Sequence, residues 1–256
     1  RIFVIGWDIA VIATRLVLGM TFLLLLFIPS VPILVVLLPW RISRIYATNI
    51  MGFIAGRTLM WLTGCPVTVE GREHLRRDKP AIYVGNHTSA IDAFTSIWLV
   101  PMGTVGVAKK QILNYPVYGQ LWALSGHLVI DRSNTERAKA SMNELGDFVK
   151  HRNLRVMLWP EGTRARDGRL LPFKKGFVHL ALATGLPIVP MVTTGAQDVW
   201  EKGNLRLRRR PIHIKFLPPI DTSEWSRETV DQHTEQVWQK VYDALPPGQR
   251  PLPRGY

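Results

Sequence analysis

The chain is poor in cysteine: Cys65 is the single one in 256 residues. That excludes an intrachain disulfide framework and a metal site built from several thiolates, and it suits a reducing compartment. Acidic residues are scarce too, 19 Asp and Glu against 32 Lys and Arg, leaving a net charge of +13 and a pI near 10.3. So basic a surface attracts polyanions: nucleic acid, anionic lipid headgroups or phosphorylated substrates. No nucleic-acid-binding motif accompanies the charge, so nucleic acid is not the expected partner. Internal repeats and low-complexity tracts are absent, and so is the G-x-S-x-G elbow that presents a nucleophilic serine. Apart from His87, the histidines (His74, His127, His151, His179, His213 and His233) lack metal-ligand spacing and fall in different segments, so no metal is expected.

What the chain does have is apolar sequence, at 47% of residues, enough for a sizeable core. From Leu16 to Pro39 it runs 24 residues without a charge. A hydrocarbon core needs about 20 apolar residues in a helix, so this run predicts membrane association. Pro29 and Pro32 interrupt it, because proline lacks the N–H and clashes with the preceding turn. One reading is a kinked single span. The other is two shorter helices that dip into one leaflet and return. The second gains from Trp40, Arg41 and Arg44 directly after the run, which suit headgroup level and an anionic cytoplasmic leaflet. A cleaved signal peptide fits less well, since the run is long and lacks small-residue flanks. The location expected is the cytoplasmic face of the inner or plasma membrane. Residues 45–64 read as a helix of mixed polarity. Residues 1–60 then form a membrane-anchoring helical part, and 61–256 a second domain.

From residue 66 short β-rich runs alternate with helical stretches. Strands are expected at 66–71, 81–85, 104–109, 127–132, 155–159, 187–192 and 211–217, and helices near 92–99, 117–124, 135–151, 175–184 and 225–244. The alternation predicts an α/β fold with a mixed, largely parallel central sheet covered by helices. Ligands in such sheets gather beyond the carboxyl ends of the strands.

The strand ends carry the reactive residues. VGNHTSAIDAF (84–94) places His87 and Asp92 five residues apart. On one helix that spacing subtends about 140°, so the two meet only if His87 sits in the turn before a helix that Asp92 begins. Asn86, Thr88 or Ser89 can cap such a helix. The carboxylate then fixes the imidazole tautomer and leaves the other nitrogen as a general base. The plainer alternative is a capping histidine and an aspartate that suits the helix dipole. WPEGTRARDG (159–168) follows another strand. Gly162 permits a tight turn there, and Arg164 offers a planar fork for phosphate. VAKKQILNYPVYG (107–119) sets Lys109 and Lys110 at a third strand end. LPIVPMV (186–192) has no reactive side chain and reads as a wall. The arginines of NLRLRRRP (204–211) read first as a solvated loop or edge, and otherwise as a docking patch for anionic lipid or an acidic carrier protein.

Taken together, NHTSAID, AKKQILNYPVYG, GHLVIDR, WPEGTR and LPIVPMV resemble, in order, the blocks of the glycerolipid acyltransferase family. These are His-x4-Asp, Lys…Pro-x-x-G, Gly…Ile-Asp-Arg, Phe-Pro-Glu-Gly-Thr-Arg and a final proline block. The match spans roughly residues 84 to 192. Trp159 replaces the usual Phe, and Arg166 and Asp167 stand where Ser or Gly is common. The resemblance implies acyl transfer from acyl-CoA or acyl carrier protein, as donor substrate, to the free sn-2 hydroxyl of 1-acyl-glycerol-3-phosphate, with no cofactor. His87 would act as base and Asp92 would orient it. Glu161, Gly162, Thr163 and Arg164 would line the acceptor phosphate, with Lys109 and then Arg132 as further cations. Glu161, itself negative, would orient Arg164 or a hydroxyl. The partners implied are a lysophospholipid, the acyl donor and the bilayer. Other acceptors share these blocks: glycerol-3-phosphate, a lyso-ornithine lipid, or lysophospholipids in remodelling. A non-catalytic membrane-binding module is the alternative from another class; it does not need both His87 and Asp92 and would keep its function in His87→Ala.

Overall fold

The computed structural model describes residues 2–131, 135–203 and 207–252. Its centre is a seven-stranded sheet of β1 (Val67–Glu70), β2 (Ile82–Gly85), β3 (Thr104–Lys109), β4 (Leu128–Ile130), β5 (Arg155–Leu158), β6 (Ile188–Thr194) and β7 (Ile212–Phe216). The order across the sheet is β1-β7-β6-β2-β5-β3-β4. Every neighbouring pair is parallel except β6 and β7. The mixed, largely parallel sheet expected from the alternation is thus the sheet that forms, and each expected strand is in it.

Parallel strands need crossovers, and the crossovers cover both faces. The helices are α1 (Ile2–Val36), α2 (Arg41–Thr63), α3 (Ile91–Leu99), α4 (Tyr118–Leu124), α5 (Thr135–His151), α6 (Gly176–Thr184), α7 (Ala196–Val199) and α8 (Val230–Ala244). Side chains alternate along β2. Ile82 and Val84 enter a core with Leu145 of α5, Phe177 of α6 and Val237 of α8. Tyr83 enters the other core, with Ile91 of α3 and Met60 of α2. All three β2 side chains are fully buried.

β2 lies between β5 and β6. From β2 the chain crosses by α3 to β3, and from β5 it crosses by α6 to β6. The two connections leave neighbouring parallel strands in opposite directions and on opposite faces. A crevice opens at such a switch point, beyond the carboxyl ends, and the chain enters it through the stretches after Gly85 and Leu158.

Helix α1 runs unbroken through Pro29 and Pro32, so of the two readings the single helix forms and the pair parted at the prolines does not. Each proline removes one hydrogen bond, whereas parting the helix there would strand the end groups of two helices in an apolar run. The turn comes later, at 37–40. Val17–Val36 is long and apolar enough to cross a membrane, with mean hydropathy 2.4 and 17% of it buried. Leu25 and Ile28 are exposed on it, as are Tyr46, Ile50, Ile54 and Trp61 on α2. The opposite side of α2 is held to the sheet by polar contacts. Asn49 exchanges two hydrogen bonds with the Thr104 backbone, at 3.0 and 2.9 Å. Arg41 and Arg44 donate to the carbonyls of Gly126 and Leu124. Gly56 lets α2 touch α3, since a Cβ there would stand 2.4 Å from the Phe94 carbonyl oxygen.

Candidate active site

Asn86 ends β2 in a buried bracket. Its amide donates to the Thr193 carbonyl at 2.9 Å and accepts the Thr193 N–H at 2.8 Å, tying the strand end to β6. His87 follows, outside the helix, and Asp92 lies in the first turn of α3. The two do meet. Nδ1–H of His87 donates to Asp92 Oδ2 at 3.0 Å, and the same oxygen accepts the N–H groups of Thr88 at 2.6 Å and Ser89 at 2.8 Å. Asp92 therefore serves both alternatives raised by the sequence: it closes the helix start and sets the histidine tautomer. The carboxylate is 1% exposed and the imidazole 19%. Nε2 of His87 has no partner among the described residues. Ser89 Oγ accepts the Ile91 N–H at the start of the helix and donates to the Trp200 carbonyl at 2.7 Å.

The turn after β5 closes on His87 from the adjacent strand. Glu161 Oε1 accepts the His87 backbone N–H at 2.7 Å, and Oε2 accepts the Leu171 N–H at 3.2 Å. Ala165 N–H returns a bond to the His87 carbonyl at 3.2 Å. The Glu161 oxygens thus face backbone N–H groups, and no bond to Arg164 is among those they make. Trp159 lays its indole on the imidazole, with centroids 4.7 Å apart and planes 21° from parallel. Gly162 turns the chain at φ 74°, and its N–H returns to the Trp159 carbonyl.

Burial pushes the Glu161 carboxyl up to about 8, against the two N–H bonds that favour its charged form and with the charge of Asp92 adding to the rise. The folded state then keeps a proton that the unfolded chain releases in the ordinary carboxyl range. That contribution to stability is complete below the ordinary range and is lost as pH rises through about 8. The thermal midpoint of the wild type is expected to fall between about pH 5 and about pH 9 by several degrees more than that of Glu161→Gln. Parallel pH curves in thermal unfolding would contradict it.

Arg164 is half-buried, and its guanidinium has no ion pair or hydrogen bond among the described residues. Lys109 is exposed at the end of β3, the strand beside β5, and so stands on the same edge of the sheet. Arg132 lies outside the described residues. Lys202, which no sequence block marks, reaches the turn from the loop after α7. Its Nζ donates to the Arg164 carbonyl at 2.7 Å and to Thr163 Oγ1 at 3.3 Å. A lone lysine in a basic chain gave no signal; only the seating of Trp200 on Ser89 brings it here. Arg208 pairs with Glu201 at 2.6 Å, while residues 204–206 of the arginine run lie outside the described residues. Beside the turn, a cavity of 590 Å³ opens between α5 and α6, lined by Val107, Ile130, Met142, Leu158, Phe177 and Leu182. Trp159, Gly162, Lys174, His179 and Arg227 are also on its wall. The volume is that of a small-molecule site.

The fold and these strand-end loops define a class. The Acyltransferase family model matches residues 66–194, and the chain belongs to that family. It is 49% identical over 220 residues to a 1-acyl-sn-glycerol-3-phosphate acyltransferase of Limnanthes douglasii, covering 86% of this chain and 78% of that protein. It is 40% identical over 151 residues to the protein of that name from Escherichia coli K12, covering 59% and 60%. Among solved structures, the 1-acyl-sn-glycerophosphate (LPA) acyltransferase of Thermotoga maritima superposes with a TM-score of 0.70, at 22% identity, over 91% of this chain and 97% of that one. That likeness is one of fold.

Proposed function

We propose that the chain transfers a fatty acyl group from an acyl thioester to the free sn-2 hydroxyl of 1-acyl-glycerol-3-phosphate, giving phosphatidic acid. The observation that carries the reading is the His87–Asp92 pair at the switch point, with Nδ1 occupied and Nε2 without a partner among the described residues. Family membership and the names of the relatives agree with it. Nε2 takes the hydroxyl proton as the hydroxyl oxygen attacks the thioester carbonyl. The C–S bond then breaks, and the imidazolium returns the proton to the departing thiolate. Asp92 balances the imidazolium charge in between. The transfer moves no electrons to or from a cofactor; acyl-CoA or acyl carrier protein enters as substrate.

The acceptor phosphate sits on the Gly162–Arg164 turn. Arg164 is its main ligand, Lys109 and Lys202 add charge from either side, and Arg132 is a further candidate. Glu161 holds the base to the turn and stays off the phosphate. The apolar cavity between α5 and α6 takes a hydrocarbon chain of the substrates. Helices α1 and α2 hold the site mouth at the cytoplasmic face of the membrane, where the lysolipid is dissolved. Arg164→Ala is expected to raise KM for lysophosphatidic acid about 10- to 100-fold with a smaller effect on kcat. Steady-state kinetics with varied acceptor measures this, and an unchanged KM would remove Arg164 from the phosphate.

The test of the function is acyl transfer by the detergent-solubilised protein. Labelled acyl-CoA or acyl carrier protein is offered with lysophosphatidic acid, glycerol-3-phosphate or an uncharged lysolipid. Labelled phosphatidic acid is the expected product. Transfer to another acceptor alone would change the substrate, and no transfer from either donor would point to a membrane-binding module.

A further inference from the structure

The imidazole of His87 is held at one edge by Asp92 and across one face by Trp159. A single hydrogen bond at Nδ1 leaves a ring free to rock about that bond. A flat partner 4.7 Å away at 21° removes this freedom and fixes the plane in which Nε2 lies. The strand end is shaped to admit the indole. Gly85 closes β2, and a Cβ there would lie 3.3 Å from the indole Nε1 and 3.1 Å from Met157 Cε. Trp159 also edges the apolar cavity, so the base is screened from water on that side. When the imidazole takes a proton, a cation forms over the indole face, and indole is the aromatic ring that attracts a cation most strongly.

We propose that Trp159 is a positioning residue for the reaction, fixing the plane of the His87 imidazole and stabilising its protonated form through the indole face. The inference rests on the reading of His87 as the base. The charged and titratable groups around that imidazole are Asp92 on α3, Arg164 on the turn after β5, Lys202 on the loop after α7, and Glu161, which burial keeps protonated up to about pH 8. None of them changes in a Trp159 variant. Trp159→Leu keeps apolar bulk and removes the π face; Trp159→Phe keeps a weaker one.

Two readouts test the proposal. The first is intrinsic fluorescence against pH, which needs no turnover. A protonated imidazole stacked on indole quenches it, so wild-type emission is expected to fall as pH drops through the His87 titration. That step is expected to be missing from both His87→Ala and Trp159→Phe. The second is the pH dependence of kcat/KM. In Trp159→Leu the acid limb is expected to move down by about half a unit to one unit, and kcat to fall about fivefold to tenfold. Trp159→Phe is expected to recover most of the loss. A Trp159→Leu enzyme with an unmoved acid limb would overturn the proposal, as would wild-type emission without a step that depends on His87. Emission that titrates in a wild-type protein devoid of acyl transfer would keep the stack but remove the base it serves, and the proposal with it.

Discussion

His87→Ala is expected to lower acyl transfer about 10²- to 10⁴-fold, the usual worth of a positioned general base, while leaving the protein folded. The loop around His87 is built from backbone bonds that alanine preserves. Glu161 still accepts the N–H at position 87, Ala165 still donates to its carbonyl, and Asp92 keeps the N–H groups of Thr88 and Ser89. What disappears is the imidazole, with its one bond to Asp92 and its stack on Trp159. Loss of rate and retention of stability are therefore expected together. Single-turnover acyl transfer beside thermal unfolding measures both, and a variant within tenfold of wild type would place the base elsewhere.

Arg155→Met is expected to cost about 3 kcal/mol or more of stability and to spare the chemistry. Arg155 opens β5 and is 4% exposed. Its Nε donates to the carbonyls of Arg76 and Lys79, both at 3.1 Å, and Nη1 to those of Met102 and Asn153, both at 3.3 Å. Nη2 donates to the Arg77 carbonyl. One guanidinium thus gathers the loop before β2, the turn before β3 and its own entry to β5. Methionine fills similar length and donates nothing, so five carbonyls lose the charged donor that ties their loops together. These contacts lie at the amino end of β5, opposite the strand ends that hold His87. Chemical denaturation with an activity assay at low temperature measures both parts. An unshifted midpoint would show that the carbonyls find other donors.

Much of this was legible locally. The seven strands follow from short β-rich runs bounded by turn residues. The start of α3 follows from Asn86, Thr88 and Ser89 before an apolar periodic stretch, and the contact of His87 with Asp92 from spacing that only a turn before a helix can close. The unbroken course of α1 through two prolines was less legible, because the local cost of proline was set against a larger cost of broken helix ends in an apolar run. The partners of Glu161 were hidden for another reason. The carboxyl group reaches N–H groups at positions 87 and 171, and only one of these lies in its own turn region.

Period and turn chemistry act over a few residues, so the sequence by itself determined the elements, the apolar N-terminal helix and the placing of His87, Asp92, Arg164 and Lys109 at or beyond strand ends. The tertiary structure alone decided which of those ends are neighbours. Pairing β2 between β5 and β6 sets the Asn86–Asp92 segment against the Trp159–Arg164 turn, stacks Trp159 on His87, brings Lys202 to Thr163 and draws five carbonyls onto Arg155. Apart from the Asn153–Arg155 bond, each of these contacts joins residues far apart in the chain. They exist because strand order, which no local pattern encodes, is settled by burying both faces of the sheet at once.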